Sequence, residues 1–372
     1  MSTPKSLKAI ALVSDDFVLG GPAQALLDRF LIGYPRDGVF HRVEGCEVRV
    51  WTPPGQAEAD LDRRRADHGL VRARSLEAAV SGADGLIVMA HPSGDRREPR
   101  WVKPALEAAS GGAACFVYGI LGSTLSQARD TQMLGILRQV SVLAGTELSV
   151  TWRLPEVDVP EEARLTEALI VVQGGFPRAE LDGLAGLLPV VERRRHGELG
   201  VHRVRRIAGD RVWQAGDQGL WSWPLLAAAL SRSDSPQGDS VKDGRTQYLV
   251  GLGLVPKLAR EPRGWLIDHA GGLRSAILVL EGVVGDIDFA VRMVSGEIIS
   301  AQLYRPPTPD HHEFSRLAAV VEEFFRTGHA PWPNRRALLT AGLLETFATM
   351  QTGTDELATP SLAFTPRIEG PK

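Results

Sequence analysis

The chain has 372 residues, 44% of them hydrophobic, and a formal net charge of −3 at pH 7. That length suffices for two domains, and the balanced charge and apolar content exclude both an intrinsically disordered chain and a nucleic-acid-coating protein. Cys46 and Cys115 lie in apolar strand-like runs without metal-ligand spacing, so they read as reduced core residues. The first apolar run is too short for a signal-peptide core. The longest uncharged stretch, 108–128, is broken by glycines and hydroxyl residues, so no membrane association and a cytoplasmic location are expected. The arginine runs Arg63-Arg64-Arg65 and Arg193-Arg194-Arg195 stand among acidic residues, as solvated helix faces do.

The apolar block 9–13 stops at Ser14-Asp15-Asp16, passes Gly20-Gly21-Pro22 and continues as a helical pattern with Leu26, Leu27, Phe30 and Leu31 on one face. This is a buried strand, a turn and a helix, with Pro22 suited to the helix's first turn. The turn lacks G-x-G-x-x-G, and two carboxylates stand where a diphosphate would approach the backbone. Next come a polar insert over 34–45 and a strand over 46–54 that ends on prolines. Trp51-Thr52 stands where a ribose-binding Asp or Glu belongs. A helix over 60–68 closes at Gly69, and a Ser75-capped helix runs to Val80. Strands over 85–90, 113–118 and 140–144 then alternate with helices over 103–109 and 123–137. This alternation predicts a parallel, doubly wound sheet over about the first 150 residues.

The pattern then changes. Residues 169–173 read as a strand, 179–195 as a helix, 201–207 with 212–213 as a hairpin-like pair, 220–231 as a helix and 233–245 as a loop. Strands over 265–269, 274–281, 286–293 and 297–304, joined by tight turns, predict an antiparallel sheet. Helices over 310–327 and 334–350 end the chain, the first with a capping-box spacing at Asp310 and Glu313.

Several segments resemble the Gfo/Idh/MocA oxidoreductases. They are Asp60 through Leu70 (DLDRRRADHGL), Ser75-Leu76-Glu77-Ala78-Ala79, Ala83-Asp84-Gly85-Leu86-Ile87-Val88, Lys103-Pro104-Ala105-Leu106-Glu107-Ala108-Ala109, and Phe324 through Gly328 with Arg336 through Gly342. Thr151-Trp152-Arg153-Leu154-Pro155, Glu192-Arg193-Arg194 and Gly197-Glu198-Leu199-Gly200-Val201 are similar to a divergent branch. The resemblance implies α/β plus α+β architecture. An N-terminal Rossmann-like doubly wound parallel sheet (1–148) precedes a C-terminal α+β domain on an open, mainly antiparallel sheet (149–360), with a tail over 361–372. It further implies NAD or NADP held by Ser14, Gly20, Gly21 and Met89, and a sugar-like or small polar metabolite as ligand. It also implies a homo-oligomer through the C-terminal sheet, with Ile277, Val279, Phe289 and Val291 on the pairing face, or a hetero-oligomer with a paralogue.

The family's Glu-Lys-Pro is replaced by Tyr118-Gly119-Ile120, and Lys103-Pro104 lies one helix too early to substitute. Where the family carries Asp and His on the first helix of the second domain, this chain offers Asp182 and no histidine before His196. Together with the missing fingerprint, these departures weigh against NAD(P)-dependent redox. His91, after the 85–90 strand, is a candidate general base oriented by Asp15 or Asp16. Its structural reading is the start of a loop, and the aspartate pair equally suits backbone capping. Trp152, Arg153, Glu192 and Arg194 are candidates to bind substrate, with domain cementing and ion pairing as the structural alternatives. His311-His312 has no cysteine nearby, and no metal site is expected. Three functions stay open: an NAD(P) oxidoreductase, a non-redox acid–base enzyme of the same fold, and a catalytically silent partner of an active paralogue.

Overall fold

The computed structural model describes residues 5–91, 98–237, 248–306 and 311–364. The elements are β1 (Ala9–Val13), α1 (Pro22–Leu31), β2 (Tyr34–Arg36), β3 (Val39–His41), β4 (Glu47–Trp51), α2 (Glu58–His68), β5 (Val71–Arg72), α3 (Leu76–Val80), β6 (Gly85–Ala90), α4 (Val102–Ala108), β7 (Ala114–Gly119), α5 (Leu125–Leu137) and β8 (Ser141–Gly145). Then follow β9 (Arg153–Leu154), β10 (Leu165–Val172), α6 (Arg178–Val191), β11 (Val201–Ala208), α7 (Arg211–Asp217), α8 (Trp223–Leu230), α9 (Val255–Leu258), β12 (Arg260–His269), β13 (Arg274–Glu281), β14 (Ile287–Met293), β15 (Ile298–Leu303), α10 (Glu313–Thr327), α11 (Arg335–Met350) and β16 (Glu356–Ala358). They form two compact units. Unit 1 holds Met1–Thr151 and Arg305–Ala341, and unit 2 holds Trp152–Tyr304 and Gly342–Lys372. The stretch from Arg305, which the sequence reading placed in the C-terminal domain, therefore packs with the N-terminal one.

In unit 1 the strand order is β5-β4-β1-β6-β7-β8, parallel throughout. The order reverses between β1 and β6, so the carboxyl ends of these two strands flank the switch point where such sheets bind ligands. Side-chain alternation builds two cores. Ile10, Leu12, Val48, Val50, Ile87 and Phe116 face α1 and α10. Ala11, Val13, Leu86, Val88, Cys115 and Val117 face α3, α4 and α5. Local signals act as read: the Ser75 hydroxyl accepts from the Ala78 N–H, and Gly69 ends α2 in the left-handed region at φ 74°. Gly85 opens β6 beneath the buried ring of Phe325, where an added Cβ would lie 2.3 Å from a ring carbon.

Unit 2 is built on a sheet of order β16-β11-β12-β13-β10-β14-β15-β9. Neighbouring strands are antiparallel except β10 and β13, which run parallel. The strands expected to form an antiparallel sheet do lie in it, with β10 inserted between β13 and β14. Two further differences are local. Val212 and Trp213 belong to α7 rather than to a strand, and the polar insert contains the β2–β3 hairpin.

Both faces of the unit 2 sheet are covered. On one, Leu169, Val171, Ala276, Leu278 and Ala290 meet α7 and α8. On the other, α6 lies so close that a Cβ on Gly183 would stand 2.7 Å from Ile277, and Phe347 of α11 stacks on Trp265 at 4.2 Å. Ile277, Val279, Phe289 and Val291 lie on the α6 side and are at most 1% exposed. They are core residues and leave no pairing face of the kind expected of them. No helix among the described residues is long and apolar enough to cross a membrane.

Replacing Gly85 with valine forces the Phe325 ring out of its place. Urea unfolding should show a loss of about 1–3 kcal/mol, as overpacked cores do, and an unchanged midpoint would contradict this packing.

Candidate functional site

The carboxyl edge of the unit 1 sheet gathers Ser14, Asp15, Asp16, Gly20, Gly21, Met89 and His91. The Ser14 N–H continues the ladder by donating to the Trp51 carbonyl at 3.2 Å, and its hydroxyl donates to the Asp16 carbonyl. Asp16 is exposed, whereas Asp15 is half-buried and accepts a 2.5 Å hydrogen bond from the Trp101 indole N–H. Trp101 stands edge-on to Trp51, 4.7 Å between centroids, with the Arg100 guanidinium over its ring. Two indoles and a carboxylate therefore occupy the corner between β1 and β4, where a ribose and diphosphate belong in a dinucleotide-binding sheet.

The turn's donors are used internally. Gly20, at φ 76°, gives its N–H to the Gln24 side chain at 2.5 Å, and Gly21 gives its N–H to the Val18 carbonyl at 2.9 Å. Pro22 has no N–H to offer. A diphosphate needs these backbone donors and an absence of negative charge. With the donors engaged and Asp15 and Asp16 beside them, these residues do not fit NAD or NADP.

Beyond β6, the His91 ring lies 5.6 Å from that of Tyr118, the residue standing where the resemblance expects a lysine. The fully buried Tyr118 hydroxyl donates to Glu147 Oε2 at 2.6 Å, and Arg305 donates to Glu147 Oε1 at 2.9 Å. The phenol proton is thus held by a carboxylate that an arginine neutralises. Met89 is half-buried and is Tyr118's register partner in the β6–β7 ladder. Asp15 accepts the Trp101 indole N–H, so the carboxylate expected to orient His91 is at least partly engaged by that indole.

A histidine–carboxylate pair does occur at this edge, on residues the sequence reading set aside. His311 Nδ1 lies 3.5 Å from Glu313 Oε1, and its Nε2 is buried and, among the described residues, has no hydrogen-bond partner. That nitrogen lies 3.9 Å from where a Cβ on Gly20 would stand, and Arg29 holds the His311 carbonyl at 2.5 Å. Glu313 follows the N-cap His312, which makes no side-chain cap bond. Asp310, the other half of the expected capping box, lies outside the described residues, as does Pro92. A carboxylate at ion-pair distance from one ring nitrogen and an unsatisfied second nitrogen make His311 a candidate proton-transfer group. Among the described residues, no group of three or more His, Cys, Asp or Glu is placed to hold a metal.

In unit 2 the nominated residues do not converge. Asp182 is buried in α6, 3.2 Å from the Arg178 guanidinium one turn earlier. Glu192 is the half-buried C-cap of the same helix. Trp152 accepts the Tyr304 N–H on its carbonyl at 2.9 Å, and Arg153 pairs with Asp158 and lies over Phe289. Arg194 is buried and grips Glu198 bidentately at 2.9 and 3.1 Å. Glu198 also accepts from the Gly200 N–H and faces His269 Nδ1 at 3.0 Å, while His269 Nε2 meets the Ser275 hydroxyl at 2.7 Å. Arg194 is therefore engaged in a buried ion pair, the structural alternative expected of it. The chain Ser275–His269–Glu198 has the connectivity of a catalytic triad, but Ser275 is buried and Glu198 is saturated by Arg194, so it serves as a polar staple.

The sequence signals for the missed residues were present but weak. Glu147 is an acid in the otherwise uncharged run Leu143 to Val150. Trp101 and Trp51 each stand next to a strand's or helix's end at the ligand edge.

No protein-family model matches the sequence, and no curated protein matches it. Solved structures match over nearly the whole chain. One is GenD2 from gentamicin A biosynthesis, in complex with NAD, with 14% identity, a TM-score of 0.60, and 96% of this chain and 97% of that one covered. Another is apo scyllo-inositol dehydrogenase from Lactobacillus casei, with 9% identity, a TM-score of 0.54, and coverage of 96% and 99%. A third is biliverdin reductase from Synechocystis sp. PCC 6803, in complex with biliverdin and NADP+, with 11% identity, a TM-score of 0.52, and coverage of 92% and 98%. The fold is that of the Gfo/Idh/MocA-type oxidoreductases.

Burial pushes the Glu198 carboxyl up, but His269 and Arg194 pull it down from 4.5 to about 2. A depressed carboxylate stabilises the fold fully above its unfolded pKa, and that contribution fades as pH falls from about 4.5 toward 2. Glu198→Gln should cost about 3–5 kcal/mol at pH 7 by leaving Arg194 buried and uncompensated. It should also flatten the acid limb of stability against pH in chemical denaturation, and an unaltered limb would contradict the assignment.

Proposed function

We propose that this chain keeps the fold of a dinucleotide-dependent oxidoreductase but binds a small polar metabolite at the carboxyl edge of its parallel sheet without NAD or NADP. The observation that carries this reading is the Trp101 hydrogen bond to Asp15, with Trp51 packed against the same indole. Opening the corner to a dinucleotide would break a charge-assisted bond and an aromatic contact, and would set a diphosphate against two carboxylates.

The acid–base reading is favoured over redox chemistry by one pair of side chains. In it, His311 takes or gives the proton at Nε2, Glu313 stands 3.5 Å from Nδ1 as a counter-charge for the imidazolium, and His91 lines the same edge beside Tyr118. Hydrogen-bonding groups of this kind suit a hydroxylated, sugar-like metabolite or a comparably small polar one. The ligand would then be the proton donor or acceptor itself, with no hydride to exchange.

Titration of purified protein with NADH and with NADPH, followed by nicotinamide fluorescence and calorimetry, tests the reading. It predicts no saturation up to about 1 mM of either nucleotide. Saturable binding in the micromolar range would overturn it.

A further inference from the structure

A row of alternating charges crosses five strands of the unit 2 sheet in register. Arg203 of β11 stands opposite Asp268 of β12, Asp268 opposite Arg274 of β13, Arg274 opposite Glu167 of β10, and Glu167 opposite Arg292 of β14. Side chains that share a face in directly opposed positions lie within contact distance. Here Arg203 meets Asp268 at 2.7 Å, Arg274 meets Glu167 at 2.6 Å, and Arg292 meets Glu167 at 3.0 Å. Arginines outnumber acids along the row. Arg205, two residues along β11 and hence on the same face, adds a further cation.

Arg205 is the guanidinium the row leaves short of acceptors. Asp268 is already taken by Arg203, and Arg205 reaches it only through one terminal nitrogen, 3.4 Å from each carboxylate oxygen. Its Nε is buried and, among the described residues, has no acceptor. A buried donor left unmade costs about 1–3 kcal/mol, more when the group is charged, and native structures rarely keep one without a partner of some kind. Glu356, the remaining acid nearby, pairs with Arg203 across an exposed 3.3 Å contact that water screens.

This end of the row borders a cavity of about 470 Å³, lined by His202, Arg203, Arg205, Asp268, His269 and Arg274 among others. Arg203, Arg205 and Arg274 line it with Asp268. Arg274 is paired with Glu167, and Glu356 of β16, opposite Arg205 in register, pairs with Arg203. This leaves Arg205 as the guanidinium with the weakest pairing in a space large enough for a small metabolite. We infer that this cavity binds the oxyanion group of a small organic molecule, a phosphate or a carboxylate, with the fork of Arg205 as its principal donor. A planar fork accepts two oxygens of either group, and the ligand would supply the acceptor that Arg205 Nε lacks. The site lies within unit 2 and stands independently of the ligand at the edge of unit 1.

Calorimetric titration of the full chain with inorganic phosphate and, separately, with malonate tests the assignment, ionic strength being matched with sodium chloride. At least one of the two should bind saturably, and which of them binds more tightly names the oxyanion. Arg205→Gln should weaken that binding by more than about tenfold, as loss of a bidentate charged contact does. Arg205→Lys should restore only part of it, and Arg260→Gln, on a surface pair elsewhere in the unit, should leave it unchanged. His202 is exposed, so His202→Glu keeps the fold and should abolish binding by charge repulsion even if the Arg205 variants do not fold. If neither anion does more than chloride, or if Arg205→Gln and His202→Glu bind like the parent, the inference fails.

Discussion

A parallel sheet whose strand order reverses beside β1 offers one favoured place for a ligand, and what that place can hold depends on how the turn after β1 satisfies its own polar groups. Here the turn is closed on itself. Gly20 and Gly21 spend their N–H groups on Gln24 and Val18, and Asp15 is held by the Trp101 indole from the segment before α4. The Trp101–Asp15 bond lies in a half-buried corner, where the lower dielectric strengthens it, while the Gly20 bond is exposed to solvent. Opening the turn would thus cost several hydrogen bonds before any new ligand contact formed. The same closure explains why Trp51 is compatible with the end of β4, where it packs against Trp101 in place of a carboxylate that would read a ribose.

The second unit shows the same tendency to turn polar residues toward structure. Arg194, Glu198, His269 and Ser275 form a buried chain that ties the segment after α6 to β12 and β13. Breaking such a chain at one point is far costlier than its net contribution, because the remaining partners stay buried. The sheet is covered on both faces, by α6 on one and by α7 and α8 on the other. Its charged row runs across the strands, where opposed arginines and acids alternate, and the surplus of arginine collects at the β11 end.

Much of the fold was legible because its signals are local. The apolar blocks at 9–13 and 85–90 can only be buried strands, Ser75 and Gly69 punctuate helices by their own chemistry, and the alternation of strand and helix fixes a parallel sheet. What escaped the reading was long-range. Nothing local to β10 announces that it inserts between β13 and β14, and nothing in 305–341 announces that it rejoins the first unit. The missing glycine fingerprint was visible at Gly20-Gly21, but what replaced it was not, because Trp101 lies 86 positions from Asp15. For the same reason His91 drew attention that His311 did not. Both histidines look alike in sequence, and only the fold brings one of them to the Gly20 turn with a carboxylate behind it. Arg194 misled in the opposite way, since an arginine run looks solvated until burial pairs it with Glu198.

A crystal structure grown in a large excess of NADH examines the closed turn most directly. The account predicts that the Trp101 indole remains on Asp15 and that no diphosphate density lies against Gly20 and Gly21. A diphosphate seated on that turn, with Trp101 displaced and the nicotinamide directed past Tyr118, would contradict it.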